Sequence, residues 1–315
     1  MLVGIHDCEL DYMPNKSFPN FALMKISAYH KAKGDTVEWF IPIKRDEYDI
    51  VYSSSVFDFT DKPTKDYLPA NTIYGGTGYG LFNDLPDYID SVYPDYSIYP
   101  NCDYAIGFLT RGCINKCNYC IVPKKEGKIR PYAKWQDIVR QDTMKVYFMD
   151  NNILACEYGI KQLKELAETD YRIDFNQGLD IMLVTEEIVK ILSKIKWDKY
   201  IRFSCDKSYQ LPYFEKVIKL FDKYKIPKSK IFVYVLVRKD LEDADLRIQS
   251  LCKMYKSLNL YAQAERNELL GIRPNKLQLE FAQRYVYGRS YKKETWNEYK
   301  KRNNLKKLEG YNDGI

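Results

Sequence analysis

The feature that most constrains the fold is a regular alternation of strand-like and helical segments after residue 103. Short runs rich in β-branched and aromatic residues predict six strands, at 104–110, 145–149, 172–175, 200–204, 231–237 and 259–262. Apolar residues recur with helical spacing between most of them, at 158–167, 187–195, 213–224 and 243–258. This alternation is typical of a parallel sheet covered by helices.

The length of this stretch limits the architecture. A complete eight-unit β/α barrel takes roughly 250 residues, and the alternating stretch is much shorter. We therefore predict an α/β fold whose main part is a partial (β/α)6 barrel over 101–265, with polar loop residues at the carboxyl ends of its strands.

The first hundred residues predict a smaller layer. A short apolar run at 1–5 precedes a helical pattern at 20–33 that ends at Gly34, and strand-like runs follow at 36–40, 49–56 and 72–74. We expect a small open α/β (Rossmann-like) domain over 1–100. The proline-containing segment 83–101 predicts a linker, and 266–315 predicts a basic, mostly helical C-terminal segment.

Composition excludes some broad classes. Hydrophobic residues make up 45% of the chain and charged residues 29%, as in ordinary globular proteins. We find no run of about 18 apolar residues, so we predict no membrane span. The first ten residues have neither a basic start nor a long apolar stretch, so we expect no secretory signal and a cytoplasmic location.

Three of the eight cysteines form a tight group, Cys113, Cys117 and Cys120, spaced C-x3-C-x2-C after the first predicted barrel strand. Thiolates suit iron–sulfur clusters and zinc. A closed zinc site needs four ligands, and the nearest further cysteine, Cys102, precedes the strand. Three ligands in one loop leave one metal of a cubane cluster open, which favours catalysis. Disulfide frameworks belong mainly to small secreted chains.

This motif, with Tyr119 as the aromatic residue before the third cysteine, resembles the signature of the radical S-adenosylmethionine (SAM) superfamily, over roughly 103–263. The resemblance implies that Cys113, Cys117 and Cys120 hold a [4Fe–4S] cluster whose fourth iron chelates the amino and carboxylate groups of SAM. It further implies reductive cleavage of SAM to a 5′-deoxyadenosyl radical, with a flavodoxin- or ferredoxin-like electron donor. The radical would modify an unidentified substrate, for which a nucleic acid or nucleotide is one candidate.

The resemblance also implies SAM contacts at the carboxyl ends of the strands. We expect Tyr119 near the adenine, and Asp150 and Asn151 where family members usually have a Gly-Gly-Glu motif that contacts the SAM amino group. The other candidates are Asn176 and Gln177 for the ribose, Arg202, Ser204 and Asp206 for the carboxylate or ribose, and Gln263 and Arg266 after the sixth strand. Each polar candidate has a simpler interpretation as a loop cap or a surface group.

The N-terminal layer resembles the cobalamin-binding layer of many radical SAM enzymes, in a degenerate form. In the cobalamin-ligating form of that layer, Asp-x-His-x-x-Gly is expected after the first strand, although some family members bind cobalamin without it. The two histidines, His6 and His30, do not fit that pattern. Asp7 alone echoes the motif, so we do not expect cobalamin.

The C-terminal segment 284–307 suggests a partner. Nine basic residues are opposed there by only Glu294 and Glu298, and the segment also contains Tyr285, Tyr287, Tyr291, Trp296 and Tyr299. Basic side chains neutralise phosphates and aromatic rings stack on bases, so the tail predicts a nucleic-acid contact. Lys124, Lys125, Lys128 and Arg130 could extend this basic surface. The alternative is a solvated helix whose aromatic residues fill a seam.

Three functions remain open at this point. The first is a radical SAM enzyme, and its resemblance to methylthiolating enzymes is partial because Cys8 and Cys102 cannot supply their second three-cysteine cluster. The second is a non-enzymatic nucleic-acid-binding protein with a structural zinc site. The third is a peptide-modifying member of the same superfamily, which would normally carry further cysteine-rich motifs.

Overall fold

The structure is a computed structural model that describes residues 1–14, 18–64, 66–80, 84–255, 258–267 and 271–305. The chain divides into two compact units, Met1–Ala105 and Ile106–Ile315. In the described ranges, no helix is long and apolar enough to cross a bilayer.

The first unit contains a four-stranded parallel sheet. Its strands are β1 (Leu2–Asp7), β2 (Thr36–Trp39), β3 (Ile50–Ser54) and β4 (Thr72–Gly75), in the order β2-β1-β3-β4. Because β2 and β3 lie on opposite sides of β1, the carboxyl ends of β1 and β3 form a topological switch point, where open α/β sheets usually bind ligands. The predicted strands and their α/β class are confirmed.

Helices pack against this sheet and against each other. They are α1 (Cys8–Tyr12), α2 (Phe21–Ala32) and α3 (Asp87–Asp90). The Asn20 side chain caps α2 by accepting from the Leu23 amide, and Gly34 follows the helix with φ of +83°. This end is the predicted one, because glycine adopts a positive φ without a Cβ penalty.

The predicted linker 83–101 is wrong for its described part, 84–101. This segment belongs to the first unit and holds α2 through ion pairs. Lys25 Nζ lies 2.8 Å from Asp90 Oδ1, and Lys31 Nζ lies 2.7 Å from Asp95 Oδ2. Prolines correctly indicated turns here, but turns can pack on a domain as easily as they can connect two domains.

The second unit contains two larger sheets. The first includes β5 (Ala105–Gly107), β8 (Lys145–Phe148), β9 (Arg172–Phe175) and β10 (Lys196–Trp197), in the order β10-β9-β8-β5. The second is parallel and contains β11 (Ile201–Ser204), β12 (Ile231–Val237) and β13 (Asn259–Ala264). An isolated bridge, Leu179 to Phe203, connects the two sheets. A small antiparallel pair is formed by β6 (Thr110–Arg111) and β7 (Arg130–Pro131).

Helices follow most of these strands, as expected for α/β units. They are α4 (Val122–Lys125), α5 (Glu157–Leu166), α6 (Glu186–Lys194), α7 (Leu211–Lys223) and α8 (Leu241–Met254). Along β12 alternate residues are buried, with Val233 and Val235 fully so. This burial explains why a run of β-branched residues identified the strand correctly.

The C-terminal segment is helical and its aromatic residues form a core. It contains α9 (Lys276–Glu280), a π-helical turn (Phe281–Val286) and α10 (Trp296–Arg302). Tyr285 and Trp296 are almost completely buried, and both bond to Asp245 of α8, through the Tyr285 hydroxyl at 2.6 Å and the Trp296 amide at 2.9 Å. The seam alternative therefore describes these rings. Tyr287 is 77% exposed, and Lys306 and Lys307 of the predicted tail lie outside the described residues.

Candidate metal and cofactor site

The three grouped cysteines lie in the loop between β6 and α4. All three are partly exposed, whereas Cys8, Cys102 and Cys205 are buried. Gly112 precedes the first of them with φ of +86°, and a Cβ there would lie 2.4 Å from the Lys128 carbonyl oxygen. Glycine is therefore required for the close approach that starts this loop.

Two carboxylates fasten the beginning of the cysteine loop. Glu126 Oε2 accepts from the Gly112 amide at 2.8 Å and from Asn151 Nδ2 at 2.9 Å, while its other oxygen pairs with Arg111. Asp180 Oδ2 accepts from Asn115 Nδ2 at 3.0 Å. The loop is thus held by side chains from more than one neighbouring segment.

Asn152 connects this loop to the end of β8. Its Nδ2 lies 3.7 Å from Cys113 Sγ and 3.2 Å from Asp180 Oδ2, and the Asn115 amide donates to the same sulfur at 3.3 Å. Asn152 is only 2% exposed, and its Oδ1 has no hydrogen-bond partner among the described residues. The Asn152 side chain and the Asn115 amide thus both reach the Cys113 sulfur, so two segments hold the loop at this cysteine.

Tyr119 fastens the other end of the loop. Its hydroxyl donates to Asp206 Oδ2 at 3.3 Å, and its carbonyl oxygen accepts from Asn267 Nδ2 at 3.4 Å. The Arg238 guanidinium lies 5.7 Å from its ring centroid and pairs with Glu265 Oε2 at 3.3 Å. Burial raises the pKa of Tyr119, so this side chain keeps its proton and remains a donor.

Asp150, a predicted SAM contact, is turned inward. Its Oδ2 accepts from the Leu109 amide at 3.0 Å, and its Oδ1 accepts from the amide and hydroxyl of Thr110 at 2.5 and 2.6 Å. Burial raises its pKa to about 6. In this arrangement Asp150 holds the segment that leads into the cysteine loop.

Arg202 is similarly engaged within the protein. Its Nε and Nη2 bind the two oxygens of Asp174 at 2.6 and 2.8 Å, and its Nη1 donates to the Tyr234 hydroxyl at 3.1 Å. The Tyr234 hydroxyl in turn donates to the Asn176 carbonyl oxygen at 3.2 Å. This bidentate pair occupies the guanidinium face that would best bind a carboxylate.

The other predicted contacts lie at the carboxyl ends of strands. Asn176 follows β9 and is partly buried, and the next residue, Gln177, is exposed. Ser204 ends β11, and Asp206 is bonded by Tyr119 and by the Leu236 amide at 3.3 Å. Their proposed SAM contacts stay predictions. Gln263 and Arg266 are exposed near the end of β13.

Sequence reasoning missed Asn152, Asp180 and Glu265. Asn152 is adjacent to the predicted Asp150 and Asn151, and Glu265 lies between Gln263 and Arg266. Position after a strand could have indicated both residues, but it cannot show which side chain in a short polar run is buried.

The first unit has its own polar cluster at the carboxyl ends of β1 and β3. His6 contacts Ser53 Oγ at 2.9 Å and Asp11 Oδ2 at 2.8 Å, and the Tyr79 hydroxyl lies 3.2 Å from Cys8 Sγ. Burial raises the pKa of Cys8, which is fully buried. These groups largely satisfy one another, and Cys8 is a poor candidate ligand because thiolates are the metal-binding form.

A second buried carboxylate stands beside this cluster. Glu9 is 1% exposed, and its Oε1 accepts from Ser55 Oγ at 2.9 Å and from the amides of Val56 and Phe57 at 2.9 and 3.2 Å. Its Oε2 has no partner among the described residues. Glu9 therefore fixes the segment that follows β3.

Comparison with curated proteins finds a relative that matches part of the chain. The chain is 28% identical over 186 residues to the ribosomal protein uS12 methylthiotransferase RimO of Clostridioides difficile (strain 630). The match covers 53% of this chain and 38% of that protein. The homology supports an enzyme of the radical SAM class. Radical SAM enzymes of this kind use [4Fe–4S] clusters and SAM, which supports both cofactors here. The chain spans about two fifths of the length of this curated relative. No family model matches the chain.

The donor set fits a radical SAM cluster. Burial raises the pKa of Cys120, and the charges of Cys117 and Cys113 add to this effect. A bound iron–sulfur cluster would relieve that repulsion, because metal cations stabilise thiolates. Among the residues that the structure describes, no three His, Cys, Asp or Glu side chains are grouped for a single metal ion. A cubane has separate irons at its corners, so its cysteine ligands stand further apart than those of one ion.

Proposed function

We propose that the protein is a radical SAM enzyme in which Cys113, Cys117 and Cys120 hold one [4Fe–4S] cluster. The bound cluster would supply the electron that cleaves SAM to a 5′-deoxyadenosyl radical, which modifies a substrate not yet identified. The observation that carries this proposal is the loop of three partly exposed thiols, in which two N–H donors reach the Cys113 sulfur.

The chain's own residues hold and orient this centre. Glu126 and Asp180 anchor the amino-terminal side of the loop, and Tyr119 anchors the other side through Asp206. We propose that the two sheets of the second unit together form the partial (β/α)6 barrel, with the loop over the carboxyl ends of its strands. In this placement the cysteines remain partly exposed.

Among the predicted cofactor residues, we assign two kinds of role. Asn176, Gln177 and Ser204 remain proposed SAM contacts because they lie at strand ends, and Tyr119 remains one through its ring. We propose that Asp150, Asn151, Arg202 and Asp206 instead hold neighbouring segments, because their polar groups bond within the protein.

The proposal also concerns the electron donor and the substrate. We propose a flavodoxin- or ferredoxin-like donor, and a nucleic acid as the candidate substrate of the basic tail. Exposed Arg289, Lys292, Lys293 and Lys301 support phosphate contacts. Base stacking by Tyr285, Tyr291, Trp296 and Tyr299 receives no support, because these rings are buried.

The direct test combines iron content with SAM cleavage. Anaerobically reconstituted protein should contain about four irons per chain and should release 5′-deoxyadenosine when reduced with SAM present. Cys117→Ala should abolish both, whereas Cys252→Ala, which removes a cysteine outside the loop, should leave both unchanged. Zinc in place of iron, or unchanged cleavage in Cys117→Ala, would contradict the proposal and favour the zinc-containing nucleic-acid-binding alternative.

A further inference from the structure

Tyr287 is the most exposed aromatic side chain that the structure describes. It is 77% exposed, whereas Tyr285 and Trp296 of the same segment are buried, with their ring centroids 5.4 Å apart. Among the described residues, no other ring or cation contacts the Tyr287 ring. A single exposed aromatic residue is normal on a protein surface, so the significance of Tyr287 depends on its backbone and on the charges around it.

The backbone holds Tyr287 in a defined position. The Tyr287 amide donates to the Ala282 carbonyl oxygen at 3.0 Å, which is the spacing of the π-helical turn. Gly288 follows so closely packed that a Cβ there would lie 2.2 Å from the Arg284 carbonyl oxygen. Arg289 then has φ of +63°, which is uncommon for a residue with a Cβ and turns the chain away from the helix. The exposed ring therefore projects from a fixed turn, and π-helical turns occur frequently at functional sites.

Three cations beside Tyr287 in the sequence have no carboxylate partner in the part of the chain that the structure describes. They are Arg289, Lys292 and Lys293. All three are exposed. The acids of this segment are engaged by other groups, because Glu294 pairs with Arg302 and Glu298 accepts from the Thr295 amide at 2.7 Å. The turn that carries the exposed ring is therefore positive and complementary to an anionic partner.

We propose that this surface binds an unpaired polynucleotide strand, with one base stacked on Tyr287 and the neighbouring phosphates at the three cations. A strand of this kind supplies a flat π face and a row of negative charges, so it matches both features of the surface. An acidic peptide matches only the charge, and a duplex keeps its bases stacked on one another. This inference rests on the proposed function, in which a nucleic acid is the candidate substrate, and it names the form of that nucleic acid.

The experiment measures binding to the anaerobically reconstituted full chain by fluorescence anisotropy. The probes are a labelled oligothymidylate of about 12 nucleotides, an abasic strand of the same length, and the duplex of the first probe with oligoadenylate. The abasic strand keeps the phosphates and lacks the bases, so it isolates the stacking contribution. Wild-type protein should bind the intact strand about 10- to 100-fold more tightly than the abasic strand.

Substitution of the exposed ring assigns this difference to one residue. Tyr287→Ala should weaken binding of the intact strand about 10-fold or more and should leave the affinities for the abasic strand and the duplex unchanged. Tyr287→Phe keeps a ring and should retain the wild-type affinities. The matched control is Tyr88→Ala, which removes a 60% exposed tyrosine from the acidic helix α3 and should change none of the affinities.

The salt dependence of binding tests the cations. The double variant Arg289→Gln with Lys293→Gln removes two phosphate contacts, so the slope of log K against log salt should fall by about 1.4 for the intact and the abasic strand alike. The matched control is Lys164→Gln with Lys219→Gln. It removes the same charge from two lysines that pair with glutamates at 2.9 and 2.8 Å, and it should keep the wild-type slope.

Each result decides a different claim. Equal affinity of the wild type for the intact and abasic strands, or an unchanged affinity in Tyr287→Ala, would overturn this inference. Labelled polyglutamate that binds more tightly than the intact strand would also overturn it, in favour of an acidic protein partner. If Tyr287→Ala fails to fold, the wild-type comparison of intact and abasic strands still decides.

Iron content and SAM cleavage, measured on the same preparation, test the proposed function separately. Protein that cleaves SAM but binds the intact and abasic strands equally would keep the proposed enzyme class and lose this inference. Protein that contains zinc and no iron, but distinguishes the two strands through Tyr287, would keep the strand-binding surface and contradict the radical SAM proposal.

Discussion

Each unit contains a buried carboxylate that anchors a loop at the carboxyl edge of a sheet. In the first unit, Glu9 accepts two backbone amides and one hydroxyl from the segment after β3. In the second unit, Asp150 accepts two backbone amides and one hydroxyl from the segment after β5. Both carboxylates are 1% exposed, so each fixes a loop from inside the protein.

The two carboxylates differ in the segment that they hold and in how many of their oxygens accept hydrogen bonds. Both oxygens of Asp150 accept, whereas all three donors of Glu9 reach Oε1. Asp150 fixes Thr110, and Cys113 follows three residues later. Glu9 fixes a segment that continues into exposed Phe57 and Phe59, whose rings are stacked at 5.0 Å. A buried carboxylate therefore positions a loop, and the residues that follow in that loop determine whether it can bind a metal or a cofactor.

The largest expected contrast concerns iron. Cys113→Ala removes a proposed cluster ligand and should reduce iron per chain to near background after anaerobic reconstitution. Cys8→Ala alters a buried thiol of the first unit and should leave the iron content unchanged. Iron analysis with the visible charge-transfer spectrum measures both. Equal iron loss in the two variants would show that the first unit also contributes a ligand and would end the contrast.

The next contrast separates the two carboxylates by isosteric amide substitution. Both oxygens of Asp150 accept, so Asp150→Asn must direct an NH2 group at an N–H donor and should lower the free energy of unfolding by about 3 kcal/mol. All three donors of Glu9 reach Oε1, so Glu9→Gln can keep them and should cost less than about 1 kcal/mol. Urea unfolding followed by circular dichroism tests this order, and a larger loss in Glu9→Gln would refute it.

A pH effect should belong to the second unit. The folded-state pKa of Asp150 is raised to about 6 by burial, above the unfolded value of about 3.9. The folded protein therefore binds more protons between these values, so this group lowers the free energy of unfolding as pH rises from about 4 to about 6. The contribution is at most about 1.4 kcal/mol per pH unit.

This contribution should vanish in Asp150→Asn, because an amide does not titrate. Urea midpoints of wild type and variant, measured between pH 4 and pH 7, isolate the effect as a changing difference between the two proteins. A constant difference across that range would mean that the carboxylate has an ordinary pKa.

The smallest expected effects come from the two hydroxyl donors. Ser55→Ala removes one donor from Glu9, and Thr110→Val removes one donor from Asp150. Each carboxylate keeps two amide donors, so each substitution should cost about 1 kcal/mol. Thermal unfolding should show similar shifts for both. A much larger loss in Thr110→Val would indicate that this hydroxyl bears most of the anchoring of the second loop.

Local signals predicted many of the strands and helices. The strands 172–175 and 231–237 were predicted with the observed bounds. Along 231–237 the β-branched and aromatic residues alternate between a buried face and a partly exposed one, whereas 173–175 is buried throughout. The cysteine motif was equally local, since its three candidate ligands lie within eight residues. Such features depend on spacing along the chain and need no knowledge of distant contacts.

Features that depend on packing could not be read in this way. The segment 84–101 contains turn residues whether it connects units or lies on α2, and its ion pairs to Lys25 and Lys31 decide the matter. The aromatic residues of the tail could stack on bases or fill a core. Burial shows that Tyr285, Tyr291, Trp296 and Tyr299 fill a core, whereas Tyr287 is exposed. Likewise, hydrogen bonds from distant segments engage both carboxylate oxygens of Asp150, whereas Asn152 Oδ1 has no donor among the described residues.

Gly112 limits which substitutions the cysteine loop can accept during evolution. Any other side chain there would meet the Lys128 carbonyl oxygen at 2.4 Å and would also need a positive φ, so a saturation library should recover glycine almost alone. Ile114 and Lys116, within the same loop, are exposed and should accept many replacements. The loop therefore contains positions that tolerate substitution and one, Gly112, that does not. The invariant position carries no reactive group.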